Sequence, residues 1–296
     1  MLYLGELSAL ITAFLWSGTS FAFSNAAKRI GSLQLNVNRI ILATILLFFI
    51  IIIANFNYDL NVEQIKYLAL SGFVGLVLGD SFLFKSFQLI GARLGMLLMA
   101  LVPAFSSILA LVFLEEHLSL ISVTGMTITL FGISIVILER SKGSESIFKS
   151  NKLGVFYGAL GALGQASGLV LAKFAFETGS INGFVATFVR LISAVVIIFP
   201  LALVFRRYKN PIKVYTKDTK ALWSTLVGTI LGPVLGITGS LIAIANAQIG
   251  IASTLMSTMP IIMLPIVRYY YKEKLTWKAI LGAMVAVAGV AMLFLI

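Results

Sequence analysis

The sequence predicts an all-α membrane protein of ten transmembrane helices, arranged as two inverted five-helix repeats. Three observations carry this expectation. Of 296 residues, 59% are hydrophobic and only 11% charged, with a mean hydropathy of +1.04. A soluble domain carries about 25% charged residues, so this chain lacks the polar surface for a water-facing globule. Ten segments approach the ~20 apolar residues of a spanning helix, at roughly 4–24, 34–54, 66–89, 92–114, 119–138, 153–176, 182–205, 220–246, 250–271 and 276–296. Runs this long do not alternate as barrel strands must, and an open sheet cannot satisfy its backbone in lipid, which leaves helix. Finally, the stretch Pro103–Leu138 returns as Pro260–Leu295. A shift of 157 maps Pro103 to Pro260, Glu116 to Glu273, Gly125 to Gly282 and Gly132 to Gly289 without a gap over 36 positions, and Ser119 becomes Thr276. A fixed offset that preserves Pro, Gly and an acidic turn marks a duplicated unit.

The repeats are read as residues 1–138 and 153–296, with a polar linker at 139–152. Five spans is an odd number, so the chain enters the second repeat from the opposite side and the two must be inverted. Inverted repeats place a substrate site near the midplane between them.

Span one opens the chain. M-L-Y-L-G-E has no positive n-region and the apolar run passes Ala13 without a cleavage signature, so it reads as a span and not as a cleaved leader. Inside it, Trp16, Ser17, Thr19 and Ser20 form a polar notch, and Gln165 and Ser167 are its counterpart in span six. Such groups either hydrogen-bond a polar solute in a mainly apolar cavity or bond helix to helix. Span two carries Arg39 and span seven carries Arg190, in equivalent places. The planar guanidinium fork suits a carboxylate or phosphate; the alternatives are snorkelling or a structural salt bridge.

Span three holds Gly72, Gly75 and Gly79 and then Asp80, the one carboxylate of 11 that lies deep in a span. An ionised Asp at the bilayer centre costs about 2.5–3.5 kcal/mol on insertion scales, so it must face a donor or take a proton. It is the candidate ligand for a substrate amine and the candidate proton carrier. Lys85, five residues on, points about 140° away, which turns attention to Arg39 or Arg190 as its partner. Lys85, Lys173 and Arg268 lie near span ends and are expected to snorkel.

A turn at Gly91-Ala92 leads to span four, and one at Gly250-Ile251 to span nine. Pro103 and Pro260 each remove a backbone bond inside those spans. Span eight contains G-T-I-L-G-P-V-L-G-I-T-G from Gly228 to Gly239, with Asn246 and Gln248 at its end. Interruptions in corresponding spans point to the binding region. Spans five and ten carry Gly125/Gly132 and Gly282/Gly289, each pair on one helix face and suited to close packing.

Lys and Arg in short loops set orientation. The side holding both termini has only Lys66, Lys173 and Arg190, against the other 19 of 22, which argues that both termini face outside. The same placement gives the net charge of +11 a membrane explanation and not a nucleic-acid one. With no Cys there is no disulfide frame or thiolate chemistry, and no G-x-x-x-x-G-K-[ST] or H-E-x-x-H occurs. Leu78-Gly79-Asp80 falls short of G-x-G-D because position 77 is Val, and Asp59 and Asp218 are in loops. No enzyme and no cofactor is expected, and transport must run on a gradient or by exchange.

With its five-plus-five duplication, A-F-L-W-S-G-T-S-F at 13–21, the paired Arg39 and Arg190, and the E-x-L-S/T turn ahead of two spaced glycines in each half, the chain resembles the EamA-type transporters of the drug/metabolite transporter superfamily. The resemblance implies a multipass transporter, commonly an exporter of amino acids or related metabolites, in a superfamily that also carries sugar phosphates, nucleotide sugars and organic cations. Many members are described with cytoplasmic termini, the reverse of the charge count. The expectation is a secondary transporter of small polar metabolites in the cell membrane of a prokaryote, with Trp16, Ser17, Arg39, Asp80, Gln165 and Arg190 binding substrate. Its partners are a small-molecule substrate and the lipid bilayer, with no nucleic acid and with homo-oligomer formation left open. The alternative is a non-transporting scaffold or lipid-handling protein.

Overall fold

The computed structural model describes residues 3–140, 152–204, 208–269 and 275–294. Among them every regular element is helical. In the first half these are α1 (Leu4–Ile30), α2 (Ser32–Ile53), α3 (Val62–Ser71), a π-helical segment (Gly72–Gly79), α4 (Asp80–Met99), α5 (Val102–Phe113) and α6 (Leu120–Arg140). The second half holds α7 (Lys152–Glu177), α8 (Gly183–Val204), α9 (Pro211–Lys217), α10 (Thr219–Thr229), a second π-helical segment (Ile230–Gly236), α11 (Ile237–Asn246), α12 (Ile249–Met256), α13 (Met259–Tyr269) and α14 (Trp277–Leu293). Among the described residues seven apolar helical stretches are long enough to cross a membrane, and three shorter ones run over Leu97–Phe113, Ile249–Pro265 and Trp277–Leu293.

Local sequence explains most boundaries. Gly31 alone joins α1 to α2 with φ +87°, a region that favours glycine. Asn61 and Gln64 close a capping box at the start of α3, the side chain of each accepting from the other's backbone N–H at 2.8 and 3.0 Å. The repeated Ser119 and Thr276 play the same part in their two halves. Their hydroxyls accept from the N–H of Ser122 (3.0 Å) and Ala279 (3.3 Å), capping α6 and α14. The K-E-K part of the second turn lies outside the described residues, as do positions 141–151 of the linker.

Two expected boundaries move. The backbone stays helical through Gly91-Ala92, where a turn was expected, because the reversal is made by bending within α4. Ser86 and Leu98 both reach the position a Cβ on Gly158 would take, although 12 residues of straight helix would part them by about 18 Å. Likewise the apolar stretches that hold Pro103 and Pro260 are not continuous helix. Non-helical residues at Ala100–Leu101 and Ser257–Thr258 precede the prolines, and each Pro falls in the first turn of a new helix, where its missing N–H costs nothing.

The halves interlock by exchange. Residues Gly5, Thr12, Trp16, Thr19 and Phe23 of α1 run antiparallel along Ala247, Gly239, Gly236, Gly232 and Gly228. In the other half Gly154, Gly161, Gly164 and Gly168 of α7 run along Ile90, Leu83, Gly79 and Gly75. Shifts of 149 for the first members and 157 for the second convert Gly5–Ala247 into Gly154–Ile90 and Thr19–Gly232 into Gly168–Gly75. The last helices also pair reciprocally: Gly125 meets Gly289 and Gly132 meets Gly282 on antiparallel α6 and α14. Without Cβ atoms these backbones approach closely, which is what drives helix association where lipid removes the hydrophobic term.

Candidate functional site

Both π segments fall at matching positions: the shift of 157 takes Gly75 to Gly232 and Gly79 to Gly236. A π segment opens the ordinary i→i−4 ladder and is frequent at functional sites. In the first segment the Asp80 N–H reaches back to the Gly75 carbonyl. That carbonyl also accepts from Gln165 Nε2 at 3.1 Å, so α7 is pinned to the place where the first half deviates from α-helix.

Asp80 follows at once, 7% exposed. Its Oδ2 accepts from Arg39 Nη2 at 2.5 Å and its Oδ1 from Gln165 Nε2 at 2.6 Å. Arg39 is held in turn by Asn36, whose Oδ1 accepts from its Nε at 2.8 Å, and by the rings of Phe23 and Phe84, whose centroids lie 5.3 and 5.5 Å from its Cζ. Arg190 comes from α8. It is 2% exposed, its Nε has no hydrogen-bond partner among the described residues, and its Nη2 lies 3.3 Å from where a Cβ on Gly75 would stand. Asp80 acts on it through space. The cluster therefore draws Arg39 and Asp80 from one half and Gln165 and Arg190 from the other.

The other expected site residues are placed differently. Trp16 lies against Gly236, the mate of the Gln165–Gly79 contact, and hydrogen-bonds to none of the four. Ser17 is buried, its hydroxyl donating to Ala13 O at 2.8 Å and Met259 O at 3.2 Å. Thr19 and Ser20 bond back to Leu15 and Trp16 within α1 at 3.0 and 2.9 Å, and the notch reaches another helix through Met259, which accepts from Ser17 and from Ser20 (3.4 Å to Sδ). Lys85 and Arg268 are exposed, in keeping with snorkelling. Lys173 is a correction. Its Nζ donates to the carbonyls of Ile244 (2.6 Å) and Ala247 (3.1 Å) and stands 3.5 Å from Glu116 Oε1, because the end of α11 offers carbonyls without helical partners. Three participants went unforeseen: Asn36, Phe23 and Phe84. Spacing could have found the rings, since Phe23 is seven residues beyond Trp16 and Phe84 four beyond Asp80, each pair on one helix face.

Two latches flank the cluster, both crossing between halves. At the end where Tyr3 packs against Phe294 (centroids 5.6 Å apart, rings tilted by 54°), Glu116 also accepts from the Ile249 N–H at 2.9 Å and so caps α12. At the other end Arg29 grips Asp218 through two bonds of 3.0 and 3.2 Å. There Gln34 exchanges bonds with the Lys209 backbone at 2.9 and 2.8 Å, and Tyr208 donates to Asn38 at 2.6 Å.

Among known proteins, the family model described as the EamA-like transporter family matches residues 3–138 and 152–295. A solved crystal structure, described only as that of a protein, is 15% identical with a TM-score of 0.79 over 97% of this chain and 94% of that one. At that identity the likeness shows a shared fold and nothing more. No curated protein matches.

Proposed function

The chain belongs to the EamA-like transporter family, and from that premise we propose a secondary transporter that moves small polar metabolites, amino acids among them, by alternating access of two inverted repeats. The observation that carries this reading is the buried Arg39–Asp80–Gln165–Arg190 cluster, built from both halves beside a π segment. Ionisable groups at membrane depth are expensive and mark substrate or ion pathways. Among the described residues seven apolar helices of spanning length and three shorter ones are compatible with ten crossings, and the reciprocal antiparallel contacts are those that two inverted five-span units would make. Tyr3 packs against Phe294, which brings the start of α1 and the end of α14 together, as an even number of crossings would.

In this reading the chain works in the cell membrane, with its termini outside by the 19 to 3 charge bias. Substrate binds at the cluster, the halves rock about it, and one latch opens in each state. Asp80 carries the proton when transport is coupled to a proton gradient. The test is flux in liposomes holding the purified protein, across a panel of amino acids, sugar phosphates and lipophilic cations, for the parent and Asp80→Asn. Solute exchange by the parent is expected. Gradient-driven uptake that is unchanged in Asp80→Asn would remove the coupling role, and no exchange of any class would favour a scaffold.

A further inference from the structure

We propose that the substrate is an organic monoanion, a small carboxylate with an apolar body, whose oxyanion is held by Arg190. This rests on the transporter reading and narrows it from small polar metabolites to monoanions, setting zwitterionic amino acids aside. Within the cluster each partner but one is satisfied. Asp80 has Arg39 on one oxygen and Gln165 on the other, and Arg39 divides its donors between Asp80 and Asn36. Arg190 is equally deep, yet its Nε makes no hydrogen bond among the described residues. A buried charge without a hydrogen-bonded partner is costly, whereas a guanidinium fork meets a carboxylate with two parallel bonds.

The charge count sets the substrate's charge. With Asp80 ionised, two arginines against one aspartate leave the cluster at +1. One negative charge neutralises it, a zwitterion brings an ammonium among guanidiniums, and a dianion overshoots. A Cβ on Gly75 would stand 3.3 Å from Arg190 Nη2 and 3.6 Å from Gly168 Cα, so the glycine sets the guanidinium beside bare backbone. The surroundings suit an apolar body: the rings of Phe23 and Phe84 flank Arg39, and the π segment beside Arg190 reads G-F-V-G-L-V-L-G.

The test uses the full chain. Thermal unfolding in detergent is followed with benzoate, alanine or choline, and counterflow in liposomes is followed with benzenesulfonate, a permanent anion that does not leak through lipid as benzoic acid does. Benzoate is expected to raise the melting temperature by several degrees and benzenesulfonate to exchange, with alanine and choline silent. Arg190→Gln should still unfold cooperatively and should lose the benzoate shift; Arg190→Lys should keep a fraction of it. A benzoate shift that survives Arg190→Gln overturns the inference. So does protection or exchange by alanine or choline in place of the anions, although the transporter reading then stands. Silence from every probe also overturns it, and exchange across the wider solute panel then decides the transporter reading separately.

Discussion

Asp80 is the residue on which the cluster turns, because its two oxygens tie one half to the other. Asp80→Asn keeps the shape but leaves two buried guanidiniums without a countercharge. Breaking a buried pair from one side costs about 3–5 kcal/mol, so a marked fall in melting temperature is expected. The double change Asp80→Asn with Arg39→Gln should recover much of it, and a double-mutant cycle in detergent measures the coupling. An undiminished melting temperature in the single variant would contradict a charged pair. Outside the spans, Asp218 is held below the usual carboxylate range, first by the Ala221 N–H it caps and then by Arg29. A lowered folded pKa means that its stabilisation is full above the ordinary value near about 3.9 and is lost as pH falls through the folded one. The deficit of Asp218→Asn should therefore be constant at neutral pH and shrink in acid, as read from melting temperature against pH. Being exposed, the effect is small.

At the scale of elements, the crossings of α1 and α7 over the two π segments depend on missing side chains. A Cβ on Gly164 would come within 2.8 Å of Gly79 Cα, a backbone atom that cannot turn aside. Gly164→Val should force α7 off the π segment, pull Gln165 from Asp80, and cost about 1–3 kcal/mol as overpacking does. Gly18→Ala is the control on α1: the Cβ meets only Leu231 Cδ1 at 3.2 Å, the end of a flexible side chain. Its melting temperature should stay close to the parent's, and equal losses in the two variants would argue against crowding at the crossing. The π segments also explain why the glycine runs of spans three and eight matter. They do more than allow close approach, since at Gly75 an opened ladder turns a carbonyl toward Gln165.

For the whole molecule, the proposed alternating access assigns the two latches to opposite ends of one rocking motion. Glu116–Lys173 closes the end where Tyr3 meets Phe294, and Arg29–Asp218 closes the other. Because the chain has no Cys, paired cysteines at either latch can be joined by a short bifunctional reagent. Joining Glu116→Cys to Lys173→Cys, or Arg29→Cys to Asp218→Cys, should stop solute exchange in liposomes and release it on cleavage of the linker. Full exchange with one latch held shut would sink alternating access.

Much of this was legible in the sequence. Lipid as solvent forces helix on every long apolar run, so composition alone gave the class. A gap-free offset over Pro103–Leu138 exposed the duplication, and a lone acid at membrane depth identified Asp80, since desolvation makes such a group conspicuous in any context. What the sequence could not decide was pairing. Arg39 and Arg190 occupy equivalent places in their repeats, yet one binds Asp80 and the other is left with an unbonded Nε. That difference arises because the counterparts of Asp80 and Gln165 in the opposite halves are Ile237 and Trp16. Lys173, near a span end, was expected to snorkel and instead caps α11, because a helix terminus from the same half arrives beside it. The bend within α4 was likewise invisible, for it needs α7 alongside to define it. Periodicity and hydropathy are local and survive in one dimension, whereas the partner of a buried charge is set by which helices the fold brings together.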